Sequence, residues 1–291
     1  MLGLSEAGRR RLAYGFWRYG ENDTEAAAAM LSLARGNGID HLDTADIYGF
    51  NGSSGFGGAE TMLGKLRRQA PSLFAGAFIA TKAGCEPGTP YNSSVVYLTA
   101  ACDASLARLG VERIDLFYVH RPDLLTHPHE LAEALDGLVA AGKVAAVGVS
   151  NFTASQIAAL TRHLRAPLVA HQVEFSAAHI APLLDGTLDC AMERGMAVAA
   201  WSPLARGGLG EGGAAGLARV REVLARIAED HDLSPAAVAI AFLQRHPAAV
   251  TPILGTKTPE RLRQAMAAAT VSLTRAEWYA ILVAARGERM P

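Results

Sequence analysis

The chain has few cysteines and no long hydrophobic run. Its 291 residues include only Cys85, Cys102 and Cys190, which lie far apart and form no CxxC pair. An odd number of scattered cysteines argues against a disulfide framework and favours a reducing compartment. No apolar run reaches the roughly 18 residues of a membrane helix, and no apolar core of signal-peptide length precedes the first charges. We therefore expect a cytoplasmic protein without a membrane segment.

An excess of charge of either sign is also lacking. The 27 Lys and Arg residues nearly balance the 28 Asp and Glu residues, so the formal net charge is -1. Such a balance provides no general attraction to nucleic acid or to an anionic membrane surface. We expect a small-molecule partner, no nucleic acid and no membrane, and the sequence does not indicate an oligomeric state.

Eight short apolar runs alternate with Ala- and Leu-rich stretches of helical spacing. We predict helices over 24–38, with Thr24 as N-cap, over 234–247, opened by Ser234 and Pro235, and over 258–269. Continuous apolar strands separated by helices predict a parallel sheet covered by helices. Because no second pattern appears, we predict an α/β fold, a single-domain (β/α)8 TIM barrel over 1–291 with a short N-terminal extension and extra helices near the C-terminus. The predicted strands are 12–16, 39–43, 78–82, 114–120, 144–150, 168–174, 197–202 and 249–254.

Polar residues close one predicted strand after another. Taken singly, such a residue is more often a solvated or hydrogen-bonded structural residue than a catalyst. In a β/α barrel, however, the carboxyl ends of the strands face one pocket, so the recurrence predicts a functional site there. The residues are Asp43, Lys82, His120, Ser150, Asn151, Gln172, Glu174, Trp201 and Ser202.

Four residues near these strand ends form a coherent set for proton transfer. The phenol of Tyr48 ordinarily has a pKa near 10, and a nearby Lys82 cation is expected to lower that pKa. Asp43 would keep Lys82 charged and oriented, and His120 would position a carbonyl oxygen by hydrogen bonding. Together they predict a general acid for a carbonyl that gains negative charge on hydride delivery.

Six motifs occur in the order found in aldo-keto reductases: "DTADIYG", "ATKAG", "FYVHRPD", "VGVSNF", "WSPLARGGL" and "PILGTKTPERLRQA". The chain resembles this family from residue 14 to about residue 268. The resemblance implies NADPH-dependent reduction of aldehydes or ketones to alcohols, with Tyr48 as proton donor, Lys82 and Asp43 as its tuning pair and His120 orienting the substrate. It also places Trp17 at the substrate pocket, where we expect Phe50 as a second apolar wall.

The same resemblance implies a bound NADPH. The nicotinamide carboxamide would be held at the ends of the fifth and sixth strands, and Trp201 stands where a tyrosine usually stacks on the ring. Arg261 suits a 2′-phosphate, which favours NADPH over NADH. Gly255 stands where many members carry a lysine, and Lys257 is expected to compensate. The expected cofactor residues are Ser150, Asn151, Gln172, Trp201, Ser202, Leu204, Gly255, Thr256, Lys257, Arg261 and Gln264.

Two glycine-rich segments invite other interpretations. "GLGEGG" (208–213) satisfies G-x-G-x-x-G, but "SPLAR" separates it from its strand, which a dinucleotide fingerprint does not allow. We expect a flexible loop there that folds over the cofactor. "GFNGSSGFGG" (49–58) lacks the Lys-Ser or Lys-Thr of a P-loop and is expected to form a mobile rim.

Two alternative functions stay open. Some relatives of this fold serve as channel-associated redox sensors, so a cofactor-binding regulatory subunit is one alternative. The other is a metal-dependent barrel hydrolase that uses Asp43, Asp46 and His120. Most other histidines fall in predicted loops or helices, which is unlike the ligand sets of such enzymes, and we expect no metal.

Overall fold

The eight predicted strands are all present in the computed structural model, which describes residues 12–52, 55–210, 213 and 215–290. Several begin later than predicted, although their first residues still make isolated contacts. Asp40, just before the second strand, accepts a hydrogen bond at its O atom from Phe78 N at 2.9 Å. Ile114 and Val144, which precede the fourth and fifth strands, form an isolated bridge with each other. The strands are β1 (Ala13–Gly15), β2 (His41–Asp43), β3 (Phe78–Ala83), β4 (Leu116–Val119), β5 (Val147–Ser150), β6 (Leu168–Glu174), β7 (Ala197–Trp201) and β8 (Thr251–Leu254).

Helices follow the strands along the chain, and two of them come after the last strand, as predicted. None of the helices in the described part of the chain is long and apolar enough to cross a membrane. The α-helices are α1 (Thr24–Gly36), α2 (Gly58–Gln69), α3 (Val95–Leu109), α4 (Pro128–Ala140), α5 (Ala154–Thr161), α6 (Thr187–Glu193), α7 (Ala218–Asp230), α8 (Pro235–Gln244), α9 (Pro259–Met266) and α10 (Arg275–Arg286).

The strands are parallel where their pairing is defined and follow one another in chain order from β1 to β8 to close a barrel. This confirms the predicted (β/α)8 fold. The register pairs Gly15 with Asp43, Asp43 with Ala80, and Lys82 with Tyr118, so the ends of the first strands lie side by side. The predicted N-terminal extension lies in residues 1–11, outside the part of the chain that the structure describes.

Two compact units divide the chain, one formed by residues 13–171 and the other chiefly by residues 172–291. In the first unit all four residues of β4, Leu116–Val119, are buried. In the second unit every residue of α8 from Ala237 to Gln244 is buried. A helix that is apolar on all sides belongs inside a protein core, and the sequence of α8 shows that pattern.

The ends of two helices test the predicted caps. The prediction for α8 is confirmed, because Ser234 Oγ accepts a hydrogen bond from Ala237 N at 3.2 Å. The prediction for α1 is wrong, since Thr24 is its first helical residue and Asp23 is its N-cap. The Asp23 carboxylate accepts from Gly20 N at 2.8 Å, so it closes the preceding turn and makes no side-chain cap.

A close contact between α2 and α3 requires a glycine. A Cβ atom added at Gly64 would overlap the carbonyl oxygen of Arg108. The two helix backbones can therefore approach each other only because residue 64 has no side chain.

Candidate active site

A buried ion pair joins the carboxyl ends of β2 and β3. Lys82 Nζ donates to Asp43 Oδ1 and to Thr44 O, both at 2.7 Å, and both charged side chains are buried. Burial lowers the pKa of Lys82, but Asp43 and Tyr48 raise it more, so the pKa lies above its ordinary value. Lys82 is therefore a cation at neutral pH.

Tyr48 lies beside this ion pair, in the turn that follows β2. The Lys82 Nζ atom is 4.9 Å from the centroid of the Tyr48 ring. Burial raises the pKa of Tyr48, while Lys82 lowers it by its charge and by a hydrogen bond; the net result is a raised pKa. The predicted lowering of this pKa by Lys82 is present, and burial of the phenol, which the prediction did not include, outweighs it. The phenol therefore keeps its proton at neutral pH.

His120 follows β4, with its ring set edge-on to that of Tyr48 at 5.9 Å between centroids. Its backbone N donates to Ala83 O at 2.8 Å, which fixes it next to the end of β3. Burial, and then the charges of Lys82 and Arg121, lower the pKa of His120 well below its ordinary value. The imidazole is therefore neutral at physiological pH and can make directional hydrogen bonds without adding a charge.

The end of β5 carries the next two predicted residues. Asn151 Nδ2 donates to Ser150 Oγ at 2.8 Å and to His120 O at 3.3 Å. Asn151 has a φ of 62°, a left-handed conformation that is uncommon for residues other than glycine and is concentrated at functional sites. Asp43, Lys82, Tyr48, His120 and Asn151 thus form a continuous series of contacts within residues 13–171.

The two predicted substrate residues lie in loops of the same unit. Trp17 is 49% exposed, and the Arg18 guanidinium lies 4.6 Å from its ring centroid. The rings of Phe50 and Phe56 meet edge-on at 6.1 Å. Residues 53 and 54, in the middle of the predicted mobile rim, lie outside the described residues.

The remaining predicted cofactor residues belong to residues 172–290. Gln172 is buried in β6, Trp201 ends β7, and Arg261 and Gln264 are exposed on α9. Thr256 accepts a hydrogen bond at its Oγ1 from Thr258 N at 3.1 Å, in the turn that leads into α9. The other members follow β7 or β8 directly, namely Ser202, Leu204, Gly255 and Lys257.

The segment after β7 has an unusual backbone. Ser202, Ala205 and Arg206 adopt positive φ angles of 51°, 51° and 56°, and each such residue costs on the order of 1–3 kcal/mol. The Arg206 guanidinium carbon lies 5.6 Å from the centroid of the Trp201 ring. Residues 211, 212 and 214, in or beside the predicted flexible loop 208–213, lie outside the described residues.

Two buried carboxyl groups form a pair that the sequence patterns did not predict. Asp46 and Glu60 are both fully buried. Glu60 accepts hydrogen bonds from Thr81 Oγ1 at 2.5 Å and from Arg108 Nε at 2.7 Å. Burial, and then the charge of Glu60, raise the pKa of Asp46 well above its ordinary value. The only sequence signal was the position of Asp46 in the motif that also contains Asp43 and Tyr48.

Known proteins resemble the chain over nearly its whole length. The sequence model described as Aldo/keto reductase family matches residues 11–284. The chain belongs to the aldo/keto reductase family. As an aldo/keto reductase it is an oxidoreductase of the class that reduces carbonyl compounds with nicotinamide cofactors.

Two relatives of this aldo/keto reductase carry the same name. A 6-dehydroglucose reductase of Novosphingobium aromaticivorans is 44% identical, with 100% of this chain and 96% of the relative covered. A 6-dehydroglucose reductase of Agrobacterium fabrum is 36% identical, with 96% of this chain and 95% of the relative covered.

Solved structures share the fold. A thermostable aldo-keto reductase in complex with the inhibitor epalrestat superposes with a TM-score of 0.82 at 24% identity, with 98% of each chain covered. An aldo/keto reductase from Klebsiella pneumoniae in complex with NADP and acetate has a TM-score of 0.78 at 25% identity, with 93% of this chain and 89% of that chain covered.

Proposed function

We propose that this aldo/keto reductase reduces a sugar aldehyde, of the class of 6-dehydroglucose, to the alcohol with NADPH. The observation that carries the chemistry is the buried Asp43–Lys82 pair beside the protonated phenol of Tyr48. The substrate class rests on the 44% identity to a 6-dehydroglucose reductase over the whole chain. In the balanced reaction an aldehyde, NADPH and a proton become a primary alcohol and NADP+.

Each residue of the site has a role that follows from its charge state. A bound nicotinamide supplies the hydride to the carbonyl carbon. Tyr48 donates its proton to the carbonyl oxygen as negative charge develops there. Lys82 stabilises the phenolate left behind, and Asp43 keeps that lysine charged and in place. His120, being neutral, orients the carbonyl oxygen by a hydrogen bond.

The proposed cofactor residues have donor groups that fit NADPH. The side chains of Ser150, Asn151 and Gln172 suit the carboxamide, and Trp201 offers a flat face to the nicotinamide ring. The exposed cations Lys257 and Arg261 lie at the start of α9, where helix N–H groups also favour an anion. Two cations there support NADPH over NADH. Ser202, Leu204, Gly255, Thr256 and Gln264 complete the proposed set, with Trp17 and Phe50 proposed at the substrate.

Coenzyme consumption by the purified protein tests this proposal. We would measure NADPH and NADH oxidation with 6-dehydroglucose and with simple reactive aldehydes, for the native chain and for Tyr48→Phe. Removal of the proton donor should lower turnover by roughly a hundredfold or more and leave NADPH binding unchanged. Tyr279→Phe, which alters a partly exposed tyrosine on α10, is the matched control and should retain full turnover.

Three outcomes would contradict parts of the proposal. Turnover of simple aldehydes but not of 6-dehydroglucose would refute the substrate class alone. Tight NADPH binding without turnover of any aldehyde would favour the redox-sensing alternative. Full turnover by Tyr48→Phe would remove Tyr48 from the mechanism.

A further inference from the structure

The side chain of Arg206 lies over the indole of Trp201, the residue proposed to stack on the nicotinamide. Its guanidinium carbon is 5.6 Å from the ring centroid, within the range of a cation–π contact. The Arg206 side chain is exposed, and no carboxylate in the described part of the chain forms an ion pair with it. Among those residues, no neighbouring acid neutralises its positive charge.

The backbone holds Arg206 in this place through successive tight turns. Ala205 N donates to Ser202 O at 2.8 Å, and Gly207 N donates to Leu204 O at 2.9 Å. Arg206 itself is left-handed, with φ 56° and ψ 23°. Residues keep such a conformation only where the surrounding structure enforces it, and these cases are concentrated at functional sites. The segment therefore holds the Arg206 guanidinium over the Trp201 indole, although the left-handed backbone that this requires is strained.

We propose that the positive charge of Arg206, held over the Trp201 ring, weakens binding of the oxidised nicotinamide relative to the reduced one. This inference rests on the proposed function. The two redox forms differ by one positive charge on the nicotinamide ring, and Trp201 would place that ring within range of the Arg206 charge. A positive charge near the nicotinamide repels the positively charged oxidised ring but does not repel the neutral reduced ring. Arg206 thus favours the binding of NADPH over that of NADP+ and promotes the release of NADP+.

Coenzyme affinities test the proposal without any measurement of turnover. Dissociation constants for NADPH and for NADP+ would be measured by calorimetry for the native chain, Arg206→Gln and Arg206→Lys. The ratio of the NADP+ constant to the NADPH constant should fall roughly threefold to tenfold in Arg206→Gln. Arg206→Lys keeps the charge and should retain most of the native ratio. Arg226→Gln removes an exposed arginine of α7 and is the matched control, with an unchanged ratio.

A second variant without the positive charge, and a comparison of the affinity changes for NADPH and NADP+, make the test decisive. Arg206→Asn suits the left-handed backbone and should repeat the effect of Arg206→Gln if that variant folds poorly. An unchanged ratio in both neutral variants would overturn the proposal. Equal weakening of NADPH and NADP+ would also overturn it, because Arg206 would then contact a part common to both coenzymes. If the native chain bound neither coenzyme, the proposed function would fail first and this inference with it.

Discussion

Lys82 Nζ donates a hydrogen bond to Asp43 Oδ1 over 2.7 Å, and both side chains are buried. A buried charge that loses its partner is costly, typically by about 3–5 kcal/mol. Asp43→Ala should therefore lower the free energy of unfolding by about that amount, besides lowering turnover. Replacing both partners, as in Asp43→Leu with Lys82→Met, should recover most of the stability and none of the turnover. Urea denaturation at neutral pH measures the stability of each variant.

The ion pair of Lys65 with Glu21 provides the control for this prediction. Its N–O distance of 2.8 Å is similar, but both side chains are substantially exposed. Lys65→Met should change the unfolding free energy by less than about 1 kcal/mol. If Asp43→Ala and Lys65→Met had equally small effects, the buried pair would not carry the stability assigned to it.

The protonation states of His120 and Tyr48 predict a broad pH optimum. Burial holds the pKa of His120 well below its ordinary value and the pKa of Tyr48 above its ordinary value. The neutral imidazole and the protonated phenol therefore coexist from about pH 6.5 to about pH 10, the ordinary values of the two groups. We expect kcat/KM for aldehyde reduction to be flat across that range and to fall only as Tyr48 loses its proton. An acidic limb near pH 6.5 that disappears in His120→Asn would contradict the lowered pKa.

The stability of the Asp46→Asn variant relative to the native chain should increase as the pH rises. The pKa of Asp46 is higher in the folded chain than in the unfolded chain, so its contribution to stability is complete below about pH 3.9 and is lost as the pH rises through the folded pKa. The amide that replaces the carboxyl group in this variant does not titrate. The difference in unfolding free energy, variant minus native, should therefore grow with pH, by up to about 1.4 kcal/mol per pH unit inside that window.

Asp123→Asn is the control with the opposite sign. Burial raises the pKa of Asp123, but hydrogen bonds from Leu125 N, Thr126 Oγ1 and Ser93 N lower it more. The contribution of the Asp123 carboxylate to the free energy of unfolding is present above its pKa in the unfolded chain and is lost as the pH falls through its pKa in the folded chain. The variant-minus-native difference should therefore become more negative as the pH rises. Denaturation at several pH values measures both differences, and a difference for Asp46→Asn that stayed flat or fell with pH, like that of Asp123→Asn, would refute the assignment for Asp46.

Substitution of two helical glycines by alanine should change the stability of the chain in opposite directions. Gly64→Ala would force a Cβ against the Arg108 carbonyl where α2 meets α3, and such overpacking typically costs about 1–3 kcal/mol. Gly137→Ala in α4 meets no atom within 4 Å, so its better helix propensity should stabilise the chain by up to about 1 kcal/mol. Thermal unfolding of both variants measures the contrast. A stabilised Gly64→Ala would show that the two helices can separate without cost.

Much of the fold was predictable because its signals are local. Each of the eight strands is a short apolar run, and the N-cap of α8 is a serine followed by proline, so nearby residues determine both. The candidate site residues Asp43, Tyr48, Lys82 and His120 could be selected because they occur at or near successive strand ends in motifs that keep their order. The contacts among them were predicted on the same basis, since parallel neighbouring strands bring their carboxyl ends together.

Other features depend on burial and on groups distant in sequence. The net rise in the pKa of Tyr48 reflects the burial of its phenol, which a sequence does not quantify. The pairing of Asp46 with Glu60 and the close backbone approach at Gly64 arise only because α2 packs beside β3 and α3. Neither the left-handed Arg206 nor its position over Trp201 follows from residue type, since arginine rarely adopts that conformation. The sequence by itself determined the elements and the candidate chemistry, whereas the tertiary structure decided the charge states, because desolvation and Coulomb interactions depend on distances in space.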